Sequence, residues 1–185
     1  MSATSPGVTV LVVVGSLRKA SVNRQLAQVA IENAPSGVQM VLFDRVGELP
    51  LYNEDLDTEP PLAQVAALRE AAGGADAALA VTPEYNGSIP GALKNVIDWL
   101  SRPYGRSPMK GKPVAVIGAS LGQYGGGWAH DEARKSFGIA GLQVVDDCTL
   151  SMPTKSLAGR HPAEHDEVVQ QLRGITQRLA AAVVR

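Results

Sequence analysis

Val8-Thr-Val-Leu-Val-Val-Val14 runs directly into Gly15-Ser-Leu-Arg-Lys-Ala-Ser-Val-Asn23. A near-continuous β-branched run of this length reads as a strand buried on both faces, the pattern of a parallel sheet. The stretch Gln25-Leu-Ala-Gln-Val-Ala-Ile31 that follows has helical periodicity. The turn between them therefore sits at the C-terminal end of a strand and the N-terminal end of a helix. There, free backbone N–H groups and the positive end of the helix dipole favour an anion. Ser16 and Ser21 offer hydroxyls, Asn23 an amide N–H, and Arg18 a planar charged fork suited to phosphate oxygens. The plainer alternative is an ordinary turn with Ser21 as N-cap and Arg18 solvated.

Composition narrows the classes. The chain has 185 residues, enough for one domain (1–185) with a substantial core, and residues 1–6 are expected to be flexible. A formal net charge of −1 argues against a broad nucleic-acid surface. The N-terminus has no basic flank and the apolar run after it is too short to span a bilayer, so a cytoplasmic protein without a membrane span is expected. The single cysteine, Cys148, permits no internal disulfide and no zinc cluster, and reads as a small buried hydrophobe. No metal site is expected. The sequon at Asn86 carries no information without a secretory signal.

Apolar runs alternate with helical periodicity along the whole chain. Strands are expected at Val8–Val14, Val38–Phe43, Ala77–Val81, Val114–Ala119 and Leu142–Val145. Helices are expected at Asn23–Asn33, Leu62–Ala72, Pro90–Leu100, Trp128–Phe137 and Ala163–Val184. Such alternation means an α/β fold, a five-stranded parallel sheet with helices on both faces. Right-handed crossovers suit the strand order 2-1-3-4-5, in which the loops after strands one, three and four meet at the carboxyl edge of the sheet.

Those three loops are the unusual ones. The first has neither the Gly-x-Gly-x-x-Gly of a dinucleotide fold nor a P-loop pattern, and with Arg18 in place of those glycines it suits a terminal phosphomonoester better than a buried pyrophosphate. The second, Thr82-Pro-Glu-Tyr-Asn-Gly-Ser-Ile-Pro-Gly91, carries a ring, a carboxylate, an amide and a permissive glycine. Ser88 is expected to cap the helix that follows, with Pro90 in its first turn. This loop could hydrogen-bond the polar edge of a planar heterocycle, or be a turn against which Tyr85 merely packs. The third, Gly118-Ala-Ser-Leu-Gly-Gln-Tyr-Gly-Gly-Gly127, lets backbone approach a ligand closely. Its Gly118-Ala-Ser120-Leu-Gly122 also matches the nucleophile elbow of serine hydrolases, with Asp146 or Asp147 and His161 or His165 following in order. A loose Gln123–Gly127 segment and the lack of an oxyanion motif count against a Ser120 hydrolase.

With these loops laid out, the chain resembles the NADPH-dependent FMN reductase family, its chromate/quinone reductase branch in particular. The matching segments are Gly15–Asn23, Leu49-Pro-Leu-Tyr-Asn-Glu-Asp55, the run from Thr82 to Trp99, and Gly118–Gly126. The resemblance implies a flavodoxin-like three-layer sandwich that binds FMN non-covalently and uses NADPH or NADH as co-substrate. By the same resemblance Ser16, Arg18, Ser21, Val22 and Asn23 hold the FMN phosphate. Pro83, Glu84, Tyr85, Asn86 and Gly87 border the isoalloxazine ring, and Ser120, Gly122, Gly125 and Gly126 complete the flavin site. The implied activity is reduction of quinones, flavins, azo compounds or chromate by ping-pong hydride transfer through FMN, with no catalytic side chain of its own. A reductase that supplies free reduced FMN to a monooxygenase and a flavodoxin-type electron carrier are the alternatives. The family also forms dimers and tetramers. Trp99, read as lying off the buried stripe of its helix beside Asn95 and Arg102, is the expected anchor of a homodimer or homotetramer. The Leu49–Asp55 loop is the part expected to join a partner's pocket.

Overall fold

A computed structural model describes residues 7–183; residues 1–6, expected to be flexible, and Val184, the expected end of the last helix, lie outside the described residues. Five strands, β1 (Val8–Val14), β2 (Val38–Leu42), β3 (Ala77–Val81), β4 (Pro113–Ser120) and β5 (Gln143–Pro153), form one parallel sheet. Its order is β2-β1-β3-β4-β5, as the alternation predicts. The helices are α1 (Val22–Glu32), α2 (Ala63–Gly73), α3 (Gly91–Leu100), α4 (Gly127–Ile139) and α5 (Asp166–Ala181).

The β-branched run of β1 is explained by the layers. Val8, Val10, Val12 and Val14 point into one core with α1 and α5, while Leu11 and Val13 point into a second core with α2, α3 and α4. A central strand covered on both sides has no solvent face, so no polar alternation survives.

Two elements depart from the sequence reading. The strand expected at Leu142–Val145 extends to Pro153, because β4 keeps pairing with it up to Ser120 opposite Pro153. Val114 pairs with Val144 but Val116 with Thr149, so an irregular stretch interrupts β5. As the edge strand it is largely exposed, and Asp146 and Asp147 there blunt the free edge. That polarity hid the continuation of the strand past Val145. The last helix begins at Asp166, not Ala163. Pro162–Glu164 instead forms a separate 3-10 turn, closed by a capping box in which Ala163 N–H donates to His161 Nδ1 and His161 N–H to the Glu164 carboxylate. His165 then breaks from it with extended backbone.

Candidate functional site

The three loops meet at the carboxyl edge of β1, β3 and β4. In the first, Ser21 occupies the N-cap of α1, with no capping bond from its hydroxyl. Among the described residues the N–H groups of Val22, Asn23 and Arg24 have no backbone acceptor, and the first turn has no acidic residue. Donors left open in this way at a helix start are suited to an anion. Ser16 and Ser21 are buried beside it and Arg18 is exposed, with no ionic partner among the described residues. The neighbouring Arg24 is already paired with Asp44. Asn23 departs from the expectation. Its amide does not project as a phosphate donor but clasps Ala119, accepting from its N–H at 2.8 Å and donating to its carbonyl at 2.9 Å. It thereby ties the first loop to the third, and only its backbone N–H joins the anion site.

In the second loop Tyr85 and Ser88 bond reciprocally, N–H to carbonyl, at 2.9 and 3.1 Å. Asn86 (φ 52°) and Gly87 (φ 74°) lie between them. Two positive φ angles in succession are the type I′ arrangement, for which Asn-Gly is the favoured pair. This corrects Ser88: it closes the turn, and Pro90, not Ser88, is the N-cap of α3. Pro83 is buried and holds the loop's start, whereas Tyr85, Asn86 and Gly87 are exposed. Glu84 is half-buried, its carboxylate accepting from Ala129 N–H in the first turn of α4 at 3.3 Å. A negative charge suits that helix end.

In the third loop Gly125 N–H donates to Gly122 carbonyl at 3.0 Å and Gly126, at φ 96°, caps α4. Gly125 is obligatory: its φ is 61°, and a Cβ there would lie 2.4 Å from Met152 N. Ser120 Oγ donates to Glu84 carbonyl at 3.4 Å. His161 caps its 3-10 turn and His165 Nε2 meets Leu157 carbonyl at 3.1 Å, so neither is bonded to Ser120. No hydrolytic relay is assembled. Cys148 is fully buried, and burial together with nearby Asp147 pushes its thiol up to about 11, so it is an inert core residue.

Several site residues gave no sequence signal. Tyr124 and Trp128 stand exposed at the edge of the third loop, ring centroids 5.6 Å apart, and Trp128 Cε3 would lie 3.7 Å from a Cβ on Gly87. His130 is fully buried beneath the loops, and its partners lie 21 and 48 residues away, so no local pattern could reveal it.

Trp99 is a correction. It is fully buried, Nε1 donating to Pro50 carbonyl at 2.8 Å and the ring edge-on to Tyr52 at 4.9 Å. Asn95 beside it is buried too, donating to Pro50 carbonyl at 2.9 Å and accepting from Tyr52 N–H at 2.7 Å. The Leu49–Asp55 loop folds back over α3, so the face that periodicity assigned to a partner is covered by the chain itself.

An anion site at α1 and a narrow turn with exposed aromatic residues fit a phosphate-bearing planar heterocycle. Comparisons with known proteins agree. The family profile described as NADPH-dependent FMN reductase matches residues 8–156. A quinone reductase of Pseudomonas putida is 46% identical over 151 residues, 82% of this chain and 78% of that one. A 2-hydroxy-1,4-benzoquinone reductase from a Burkholderia species is 48% identical over 126 residues, 68% of this chain and 67% of that one. The solved structure of FerB, a flavoenzyme NAD(P)H:(acceptor) oxidoreductase from Paracoccus denitrificans, superposes with a TM-score of 0.83 at 35% identity, covering 95% of this chain and 96% of that one.

Proposed function

The chain belongs to the NADPH-dependent FMN reductase family, and on that premise we propose that it is an NAD(P)H oxidoreductase, FMN its cofactor and quinones its main acceptors. Free flavins, azo compounds and chromate are further acceptors within the same chemistry. The observation that carries this reading is Arg18, exposed and without an ionic partner among the described residues, beside the open N-terminus of α1. FMN, when bound, supplies the two-electron chemistry that no side chain here provides. The protein's part is to bind and orient.

In this reading Ser16, Arg18, Ser21 and the backbone N–H groups of Val22 and Asn23 hold the phosphate. Pro83 through Gly87 border the ring by backbone, the Glu84 carboxylate serving α4. Ser120, Gly122, Gly125 and Gly126 close the site from the third loop. The exposed rings of Tyr85, Tyr124 and Trp128 offer stacking surface to a planar acceptor. We read residues 1–185 as one FMN-binding domain, acting in the cytoplasm where NAD(P)H is available. Among the described residues no helix is long and apolar enough to cross a membrane.

Arg18→Ala tests the anchor. Losing a charge-assisted fork costs about 1.5–3 kcal/mol, so the Kd for FMN rises roughly 10- to 150-fold by fluorescence titration. The unfolding temperature of the apo chain stays put, because the Arg18 side chain makes no hydrogen bond or ion pair among the described residues and its carbonyl, which accepts from Ser21 N–H, is kept. An unchanged Kd overturns the anchor. Activity is tested by NAD(P)H oxidation with a benzoquinone, where alternating use of one open face gives parallel double-reciprocal plots. Intersecting plots, or no quinone-dependent oxidation, overturn the proposed cycle. Retention of FMN through gel filtration separates this reading from a reductase that releases reduced FMN.

We also propose a homodimer or homotetramer. With Trp99 withdrawn, support comes from a groove of about 510 Å³ between α3 and α4, beside the exposed Tyr104 and Ile139. Light scattering that gives the mass of one chain overturns the assembly.

A further inference from the structure

Five parts of the fold converge on one buried point. A Cβ on Gly118 in β4 would lie 1.9 Å from Thr82 carbonyl, 2.7 Å from Asn23 Oδ1 and 2.8 Å from His130 Nε2. Thr82 opens the second loop, Asn23 lies in the first turn after the first, and His130 lies in the first turns of α4 after the third. The fifth part is β5, through Ser151. His130 Nε2 meets Thr82 carbonyl at 3.0 Å and Nδ1 meets Ser151 Oγ at 2.6 Å. All of these side chains but Ser151 are buried.

The partners decide the tautomer. Thr82 carbonyl can only accept, so Nε2 carries the proton. Nδ1 of the neutral ring then accepts from the Ser151 hydroxyl. We propose that His130, neutral and protonated at Nε2, is a positioning residue that holds the three cofactor loops in register before FMN arrives. The proposal rests on the placement of FMN across those loops.

Its leverage comes from what lies against the ring. A Cβ on Gly126 would lie 3.2 Å from Nε2, so His130 sets the depth of the third loop. Ser151 immediately precedes Met152, against whose backbone Gly125 packs. Thr82 carbonyl fixes where the second loop leaves β3, while Asn23 brings the first loop to Ala119 next door. Burial lowers the pKa of His130 from its ordinary value, as does Arg134. The bond to Thr82 and the charges of Asp131 and Glu84 oppose that. Arg134 and Asp131 are on its own helix and Glu84 on the second loop; α1 and β5 present the uncharged Asn23 and Ser151. Preorganisation of this kind raises affinity by cutting the ordering that binding would otherwise require.

The test uses the full chain, with the Kd for FMN from quenching of flavin fluorescence and, in parallel, the unfolding temperature of the apo protein. His130→Gln keeps an amide N–H for Thr82 carbonyl and is expected to bind FMN within about threefold of wild type. His130→Leu fills the space without a donor and is expected to bind about tenfold more weakly or worse, the equivalent of ~1.4 kcal/mol, while still folded at the assay temperature. Should the leucine variant not fold, Ser151→Ala carries the test, with an expected loss of about threefold or more. Nitrogen NMR of the wild-type imidazoles is expected to show one histidine protonated at Nε2 and still neutral at pH 6.5. A folded His130→Leu chain with wild-type affinity, an unchanged Ser151→Ala affinity where that variant carries the test, failure of the glutamine to rescue, or a His130 charged at pH 6.5 overturns the proposal. A wild-type chain that takes up no FMN overturns the cofactor placement itself, and is told apart because it fails before any substitution is made.

Discussion

Gly118→Ala is expected to give a protein that loses stability and FMN affinity together. The added methyl would lie 1.9 Å from Thr82 carbonyl, a distance no side-chain carbon tolerates, and 2.7–2.8 Å from Asn23 Oδ1 and His130 Nε2. None of the three can swing aside cheaply. Thr82 carbonyl is backbone between β3 and a loop, Asn23 is held twice by Ala119, and His130 is held at both ring nitrogens. Overpacking a close-packed interior costs about 1–3 kcal/mol, and backbone obstruction puts this site at or above the upper end. At roughly 2–4 °C per kcal/mol for a chain of this size, the apo unfolding temperature should fall by about 6–12 °C. Gly122→Ala is the control, since a Cβ there meets nothing within 4 Å; its stability change should stay within about 0.5 kcal/mol. Thermal unfolding followed by circular dichroism reads both. A Gly118→Ala chain as stable as wild type would mean that the junction yields easily, and the rigid-junction account would fail.

Trp99→Ala is expected to cost about 3–5 kcal/mol, or a fall in unfolding temperature of roughly 6–20 °C. The indole is completely enclosed, so its removal opens a large cavity in the core shared by α2, α3 and α4. Pro50 carbonyl also loses its bond to Nε1. Because Asn95 and Trp99 together hold the Leu49–Asp55 loop, that loop should become sensitive to proteolysis in the variant. Trp99→Phe separates the two contributions, keeping most of the packing and removing only the donor; about 1–3 kcal/mol is expected. The chain has two tryptophans, so fluorescence gives a second reading. The buried Trp99 supplies the blue-shifted, quencher-resistant emission and the exposed Trp128 the rest. An interface anchor would behave differently: assembly would weaken while the stability of each subunit stayed unchanged. That outcome would return Trp99 to the surface.

The contrast between Trp99 and the β1 run shows what local pattern can carry. Val8–Val14 is apolar on both faces because two separate cores need it, and a strand with that demand announces itself. The Asn-Gly pair at 86–87 likewise encodes its own I′ turn. α3 is different. Its pattern gives a stripe of Leu93, Val96, Ile97 and Leu100, and Asn95 and Trp99 fall beside it. They are buried only because the Leu49–Asp55 loop crosses that side, 43 to 49 residues away in the chain. No helical wheel contains that information. The second part of β5, beyond Val145, was not legible for a related reason, since an edge strand with Asp146 and Asp147 on it lacks the apolar signature of its neighbours.

The candidate site divides along the same line. Local pattern was enough for the doubly wound sheet, its strand order, the three loops at its carboxyl edge and the uncapped start of α1. Each of these follows from short-range periodicity, glycine and proline placement, or the unsatisfied donors of a helix end. How the side chains in those loops are employed came instead from contacts across the fold. Asn23 became a clasp on Ala119, Glu84 a cap on α4, and His130 the buried centre between Thr82 and Ser151. Hydrogen-bond partners in a parallel sheet come from strands separated by whole helices. A polar side chain at such a junction therefore has its role fixed by what lies across space, while its own neighbours in sequence say only that it is polar.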